Sequence, residues 1–245
     1  MNEHWLILGA SSAIARAFIR ITAARGAAVT LAGRDTEDLQ ASARDAELRG
    51  ASMARVIHCD ATDAVSRAAC IADATIPNTT LNVLVAIGDM PDQVTMDVDP
   101  VLLARMIETN YAGPVALLQG LTPEFERQRG GCVVIIGSVA GDRGRRKNYL
   151  YGSAKAGLAT YAEGLRARLF KAQATVTLIK PGFIDTPMTW GINGLFLVSS
   201  PEKCATAILR AAKKGRVVIY HPFFWWFIML VIKHIPTNIL KRLNF

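Results

Sequence analysis

Ser138, Tyr151 and Lys155 are the residues whose types and spacing best suit chemistry: a hydroxyl to polarise a carbonyl, a phenol to donate a proton, and a cation to acidify that phenol. Tyr151 and Lys155 are four apart, so on a helix they share one face. A free phenol has a pKa of about 10 and is a poor acid near neutrality. A nearby ammonium favours the phenolate and is expected to bring that pKa down. A Tyr and a Lys at this separation are commonplace on helices, so the pair gains weight only from its surroundings.

Upstream, the chain opens His-Trp-Leu-Ile-Leu-Gly-Ala-Ser-Ser-Ala-Ile-Ala-Arg, an apolar strand running through a turn into a helix. That arrangement points free N–H groups and the positive helix end at a phosphate. Gly9 stands where the turn must be tight, and Ser11 and Ser12 offer hydroxyls beside Ala13 and Ile14. The two further glycines of a dinucleotide fingerprint are replaced by Ala13 and Ala15, which are tolerated if both keep a helical φ. A second strand, Ala28–Ala32, ends at Gly33-Arg34-Asp35. An acid at such a strand tip would accept from a ribose 2′-hydroxyl, whereas an arginine pairs with a 2′-phosphate. Arg34 comes first, so NADP(H) is favoured over NAD(H); the alternative is that Arg34 only caps a solvated turn.

The order of these pieces resembles the short-chain dehydrogenase/reductase family over about residues 4 to 221. Gly9 to Ala15 look like its glycine-rich turn, and Asp60 with Ala61 like its adenine-contacting segment. Val85-Ala86-Ile87-Gly88 occupies the place of its Asn-Asn-Ala-Gly and keeps only the glycine. Asn110 looks like the helix asparagine that orders a proton-relay water, and Ser138, Tyr151 and Lys155 match the catalytic set. Pro181-Gly182-Phe183-Ile184-Asp185-Thr186 resembles the loop that closes over the nicotinamide, with Pro181, Ile184 and Thr186 as contacts. The resemblance implies reduction of a ketone to an alcohol, with Lys155 also holding the nicotinamide ribose. It implies a homo-oligomer as well.

Composition agrees with a single-domain, Rossmann-type, doubly wound parallel α/β sheet with helices on both faces. At 245 residues the chain can bury a sizeable core. Apolar runs such as Leu6–Leu8, Val83–Val85, Val133–Ile136 and Val176–Ile179 read as buried parallel strands. They alternate with helical stretches at Ala13–Ala24, Leu102–Asn110, Val115–Gln128 and Ser153–Lys171. The four cysteines (Cys59, Cys70, Cys132, Cys204) and four histidines are scattered, which argues against a metal site and for reduced packing thiols.

The terminal segment, residues 222–245, differs from the domain of residues 1–221. The net charge is +8, and every excess cation follows Glu202: Lys203, Arg210, Lys213, Lys214, Arg216, Lys233, Lys241 and Arg242. Phe223 to Ile232 is an unbroken apolar run of ten residues, about 15 Å as a helix and too short to span a hydrocarbon core of about 30 Å. Beyond it, Ile235, Ile239, Leu240 and Leu243 share one side and Lys241 and Arg242 the other. This pattern suits a membrane interface through residues 223–245. Core packing across a sheet edge or an oligomer contact are the alternatives. Nucleic acid is excluded, because the aromatic residues form a block and do not interleave with charge. With Met1–His4 leading straight into a strand, the expected location is the cytoplasm, peripheral on the inner face of a membrane.

Between Ser138 and Tyr151 lies Asp-Arg-Gly-Arg-Arg-Lys-Asn, with cations at Arg143, Arg145, Arg146 and Lys147. These could bind an anionic, phosphate-bearing substrate or form only a solvated loop. With a greasy tail nearby, the first reading implies a lipid or lipid-linked anionic substrate. Here the resemblance narrows to a subgroup of reductases acting on the 2-keto pentose of a polyprenyl phosphate, in cell-envelope biosynthesis. The alternatives are the same chemistry on a 3-ketoacyl, ketosphingoid or small ketone, and a non-catalytic cofactor-sensing membrane protein.

Overall fold

The computed structural model describes residues 2–191 and 197–243. Seven strands form one parallel sheet: β1 (Asn2–Leu8), β2 (Ala28–Gly33), β3 (Met53–His58), β4 (Thr79–Val85), β5 (Cys132–Ile136), β6 (Thr175–Pro181) and β7 (Val218–His221), in the order β3-β2-β1-β4-β5-β6-β7. The order reverses between β1 and β4, and the crevice outside the strand ends at that reversal is where ligands bind in open α/β sheets. β1, β2 and β4 are buried on both faces, which is why they read as unbroken apolar runs.

Among the described residues there are ten α-helices: α1 (Ala13–Ala23), α2 (Thr36–Leu48), α3 (Ala64–Ala72), α4 (Gln93–Val98), α5 (Pro100–Ile107), α6 (Gly113–Gln128), α7 (Tyr149–Leu169), α8 (Pro201–Lys213), α9 (Trp225–His234) and α10 (Thr237–Leu240). Polar caps begin many of them: Ser12, Asp35, Asp63, Asp92, Asp99 and Ser200 each accept from a first-turn amide. One core layer packs α1, α2 and α8 residues such as Phe18, Leu39 and Ile208 on one face of the sheet. The opposite layer uses Cys70, Leu117, Phe125 and Leu158 from α3, α6 and α7.

Two helix boundaries differ from the sequence reading. α7 begins at Tyr149, four residues before the expected Ser153, because Tyr149 and Leu150 are held by α4: the Tyr149 hydroxyl donates to Asp97 at 2.6 Å and the Leu150 amide to Gln93 at 3.2 Å. The expected break between Leu102–Asn110 and Val115–Gln128 is bridged by a π-helical turn, Glu108–Ala112, which contains Asn110. Such single-turn bulges concentrate at functional sites.

The terminal segment folds back on the domain. Trp225 and Met229 of α9 are buried with Val139, and Phe183, Tyr220 and Ile232 pack around them. So one face of the aromatic run is core, as the packing alternative held. The other face is solvent-exposed: Phe223, Trp226, Phe227, Leu230 and Val231, at helical spacing. No helix among the described residues is long and apolar enough to cross a membrane. Asn244 and Phe245, the last of the expected docking segment, lie outside the described residues.

Candidate active site

The turn after β1 is built around one glycine. Gly9 has φ +79°, and a Cβ there would lie 2.8 Å from the Ala86 carbonyl carbon and 2.9 Å from the Ile87 nitrogen. Only glycine gives both the left-handed backbone and that approach to the end of β4. The Ser12 hydroxyl caps α1 by accepting from Ala15 at 3.2 Å, and the first turn of α1 holds no acid to offset its positive end. Ala13 and Ala15 sit inside the helix, so their methyl groups add no backbone strain. Ser11 is exposed at the turn, and Ile14 packs part-buried on the α1 side of the core.

Arg34 is exposed at the end of β2, and its charge is felt by Asp60 at the end of β3. Asp35 is committed elsewhere: its carboxylate accepts from the Asp38 amide at 3.0 Å and caps α2. The Asp60 carboxylate accepts from the Thr62 amide (2.9 Å) and hydroxyl (2.8 Å), and these bonds hold its pKa below the usual range. Ala61 is buried where α6 begins; a Cβ on Gly113 would meet its carbonyl oxygen at 2.3 Å.

The expected catalytic residues come together at the ends of β4 and β5. Ser138 follows β5, and its Oγ accepts from the Ala140 amide at 3.0 Å. The short 3-10 turn Val139–Asp142 lies directly on α7: a Cβ on Gly141 would be 2.8 Å from the Ala156 nitrogen, and one on Gly152 would be 2.8 Å from the Ala140 oxygen. Two small residues thus bring the serine segment against the helix that carries Tyr151 and Lys155. Ser138 lies close enough to the Tyr151 phenol to favour its phenolate. The Lys155 Nζ lies 5.7 Å from the Tyr151 ring centroid and donates to the Ile136 carbonyl at 3.5 Å. Both side chains are buried, and both point to the same side of α7.

One electrostatic expectation is corrected. Where a lowered phenol was expected, burial pushes Tyr151 up to about 12, outweighing the lowering by Ser138, with Asp89 adding in the same direction as burial. The ammonium lies 5.7 Å from the ring centroid, and burial also pulls Lys155 itself down to about 8. At neutral pH the phenol is therefore fully protonated.

Asn110 is wholly buried in the π-helical turn. Its Nδ2 donates to the Asp89 carbonyl (2.9 Å), the Asp89 carboxylate (2.8 Å) and the Met106 carbonyl (3.0 Å). Its Oδ1 has no partner. A Cβ on Gly88 would lie 2.8 Å from that Oδ1 and 3.1 Å from Lys155 Nζ, so both groups converge on Gly88. Asp89 carries no signal of its own in the sequence beyond being an acid directly after the glycine that follows β4. Ile87 packs part-buried on the opposite layer.

Pro181, the last residue of β6, and Ile184 beyond it are buried, and Thr186 donates its amide to the Thr189 hydroxyl at 3.2 Å. The tail touches this loop: a Cβ on Gly182 would fall 1.9 Å from the Trp225 indole nitrogen, and Phe183 packs edge-on to Trp225 at 5.2 Å. The basic loop is partly spoken for as well. Asp142 pairs with Lys180 and accepts from the Tyr220 hydroxyl at 2.7 Å. Arg143 donates to the Ile235 carbonyl (3.4 Å) and the Thr237 hydroxyl (3.3 Å) of the tail. Arg146 and Lys147 are exposed, and Arg145 keeps a buried Nε without a partner. The four cysteines are free and buried, and no cluster of metal-ligating side chains occurs among the described residues.

A glycine turn leading into a helix at the reversal of a parallel sheet, next to a Ser–Tyr–Lys–Asn cluster, has the form of a dinucleotide-dependent acid–base site. The family model described as short chain dehydrogenase matches residues 3–194. Similar proteins include an uncharacterized oxidoreductase, Rv2073c, of Mycobacterium tuberculosis, 30% identical over 239 residues and covering 97% of this chain and 96% of that one. An uncharacterized oxidoreductase of Streptomyces coelicolor is 32% identical over 241 residues, covering 97% and 94%. Among solved structures, a short-chain dehydrogenase from Sphingobium yanoikuyae in complex with NADPH superposes with a TM-score of 0.81 at 22% identity, covering 96% and 97%. An actinorhodin polyketide ketoreductase with NADPH gives 0.80 at 19%, covering 89% and 95%; these two share the fold. The chain belongs to the short chain dehydrogenase family and is an oxidoreductase acting on CH–OH groups, on a fold that binds NAD(P).

Proposed function

We propose that the chain reduces a ketone to an alcohol with NADP(H), on a lipid-linked anionic substrate such as the 2-keto sugar of a polyprenyl-phosphate-linked pentose. The observation that carries the reaction class is the convergence of Ser138, Tyr151, Lys155 and Asn110 beside the Gly9 turn. Gly9, Ser11, Ser12, Ala13 and Ile14 would hold a pyrophosphate at the start of α1. Asp60, Ala61, Ile87 and Gly88 would line the nucleoside, and Pro181, Ile184 and Thr186 the nicotinamide. The preference for a 2′-phosphate is supported by an exposed Arg34 and an Asp35 already committed to capping α2.

The cofactor's chemistry here is hydride donation to the carbonyl carbon. Ser138 donates a hydrogen bond to the ketone oxygen and makes that carbon more electrophilic. Tyr151 delivers its proton to the same oxygen as negative charge develops there. Lys155 stabilises the tyrosinate left behind and binds the ribose. Asn110 positions the water that returns a proton.

The substrate class is supported by position. The exposed apolar stripe of α9 and the cations Arg146 and Lys147 both border the segment that carries Ser138. Such a surface fits a molecule docked peripherally on the inner, anionic face of a membrane. Consumption of NADPH and of NADH should be followed with a polyprenyl-phosphoryl 2-keto pentose, a 3-ketoacyl thioester, a ketosphingoid base and a short ketone. Turnover favouring the first with NADPH is expected. Turnover of none, or no retention of either nucleotide, overturns the reading.

A further inference from the structure

Asp89 is a charge in a place where the reaction as described needs none. It follows Gly88 in the segment between β4 and α4, and its carboxylate accepts from the buried Asn110 Nδ2 at 2.8 Å. Its backbone carbonyl accepts from the same nitrogen at 2.9 Å, so the carboxamide of Asn110 is gripped twice by one residue. With Nδ2 held there, the partnerless Oδ1 is turned toward Gly88, where it converges with Lys155 Nζ.

Lys155 is 3% exposed, and its one hydrogen bond is a long one, 3.5 Å to Ile136. No carboxylate pairs directly with it among the described residues. A buried ammonium so poorly satisfied tends to shed its proton. Around it lie Tyr151 on its own helix and the Ile136 carbonyl at the end of β5, and it converges on Gly88 with Oδ1 of Asn110, the residue whose Nδ2 Asp89 holds. Asp89 is the charged group acting on both Lys155 and Tyr151.

We propose that Asp89 is a positioning residue: its carboxylate is the counter-charge that keeps the buried Lys155 an ammonium, and its grip on Nδ2 fixes Asn110 with Oδ1 facing Lys155. This rests on the roles of Tyr151 and Lys155 proposed above. The direction of its electrostatic effect agrees, since Asp89 raises the Lys155 pKa against the lowering by burial. It also raises that of Tyr151. Removing the charge therefore moves both titrations to lower pH, and with them the alkaline limb of any reaction that needs a protonated Tyr151 and a charged Lys155.

The test reads Lys155 itself, by NMR titration of the uncomplexed protein with its lysines carbon-13 labelled at Cε and the signal assigned by a Lys155→Met control. Asp89→Asn keeps an oxygen for Asn110 but no charge, and should lower the Lys155 midpoint by about one pH unit, the size of one nearby opposite charge. Asp89→Glu, which keeps the charge, should restore most of it. Asp89→Ser replaces the asparagine variant should that one fail to fold, and the same downward displacement is required of it. An unchanged midpoint in the uncharged variant, or an equal fall in Asp89→Glu, overturns the proposal. Because the readout needs no substrate, it can fail while ketone reduction stands, and the reverse.

Discussion

At Tyr151 the protein holds a phenol that is buried beside Ser138, with its pKa pushed up by that burial so that it keeps its proton in the neutral range. A residue in that state is loaded to act as an acid and has little else to do. Tyr151→Phe should lower kcat by about two to four decades, the size of a lost general acid, with thermal stability and nucleotide binding retained. Steady-state kinetics beside a melting curve checks this, and wild-type turnover would remove the role. Arg34 poses a simpler question. With Asp35 occupied at the cap of α2, Arg34→Ala should weaken NADPH binding by about tenfold or more while leaving NADH nearly unchanged. Fluorescence titration of both nucleotides reads the ratio. Both tyrosine and arginine were legible as residues, because their types and places along the chain are chemical signatures. The protonation state of Tyr151 was not. It depends on how deeply the chain buries the pair.

At the scale of elements, helices and strands did most of what their patterns announced. The unbroken apolar runs became buried parallel strands, and the polar caps began the helices. What escaped was the join between neighbours. α7 starts early because α4 supplies Asp97 and Gln93, and Asn110 sits in a π-helical turn because α5 runs on into α6. Local propensity does not report either contact. β1 carries a separate consequence at its buried His4, whose ring nitrogen pairs with Thr30 at 2.8 Å. Burial first, then Arg55, lowers its pKa to about 4. The imidazole is thus neutral in the fold, while in the unfolded chain it takes a proton below about 6.5. Its contribution is fully present above pH 6.5 and is lost as pH falls through 4, an acid-side loss on the order of 3 kcal/mol. Urea unfolding at pH 7 and pH 4.5 should show a smaller pH difference in His4→Phe than in the parent chain.

The excess charge and the exposed aromatic stripe share the last stretch of the chain but not one end of the fold: Lys213 reaches Glu3 at the start of β1, whereas the buried side of α9 packs on the loop after β6. Deleting the tail would strip Trp225 and Met229 from a core cluster and confuse two effects. Replacing Trp226, Phe227 and Val231 by serine touches only the exposed side. Co-sedimentation with vesicles rich in phosphatidylglycerol should then fall several-fold and further with added salt, while the melting temperature holds. Equal pelleting of parent and variant would remove membrane docking and leave a second copy of the chain as the occupant of that face; sedimentation equilibrium would then report the oligomer.

The order of motifs, the α/β alternation and the charged, apolar end of the chain are properties of residue type and spacing, and the sequence alone was enough to determine them. Which face of the aromatic run is core, that Arg143 serves the tail, and that Asp89 meets Asn110 were decided only by tertiary structure. Each depends on groups far apart in the chain being brought within a few ångströms. No local pattern encodes such a meeting. Packing chooses it, and burial then sets how strongly each charge is felt.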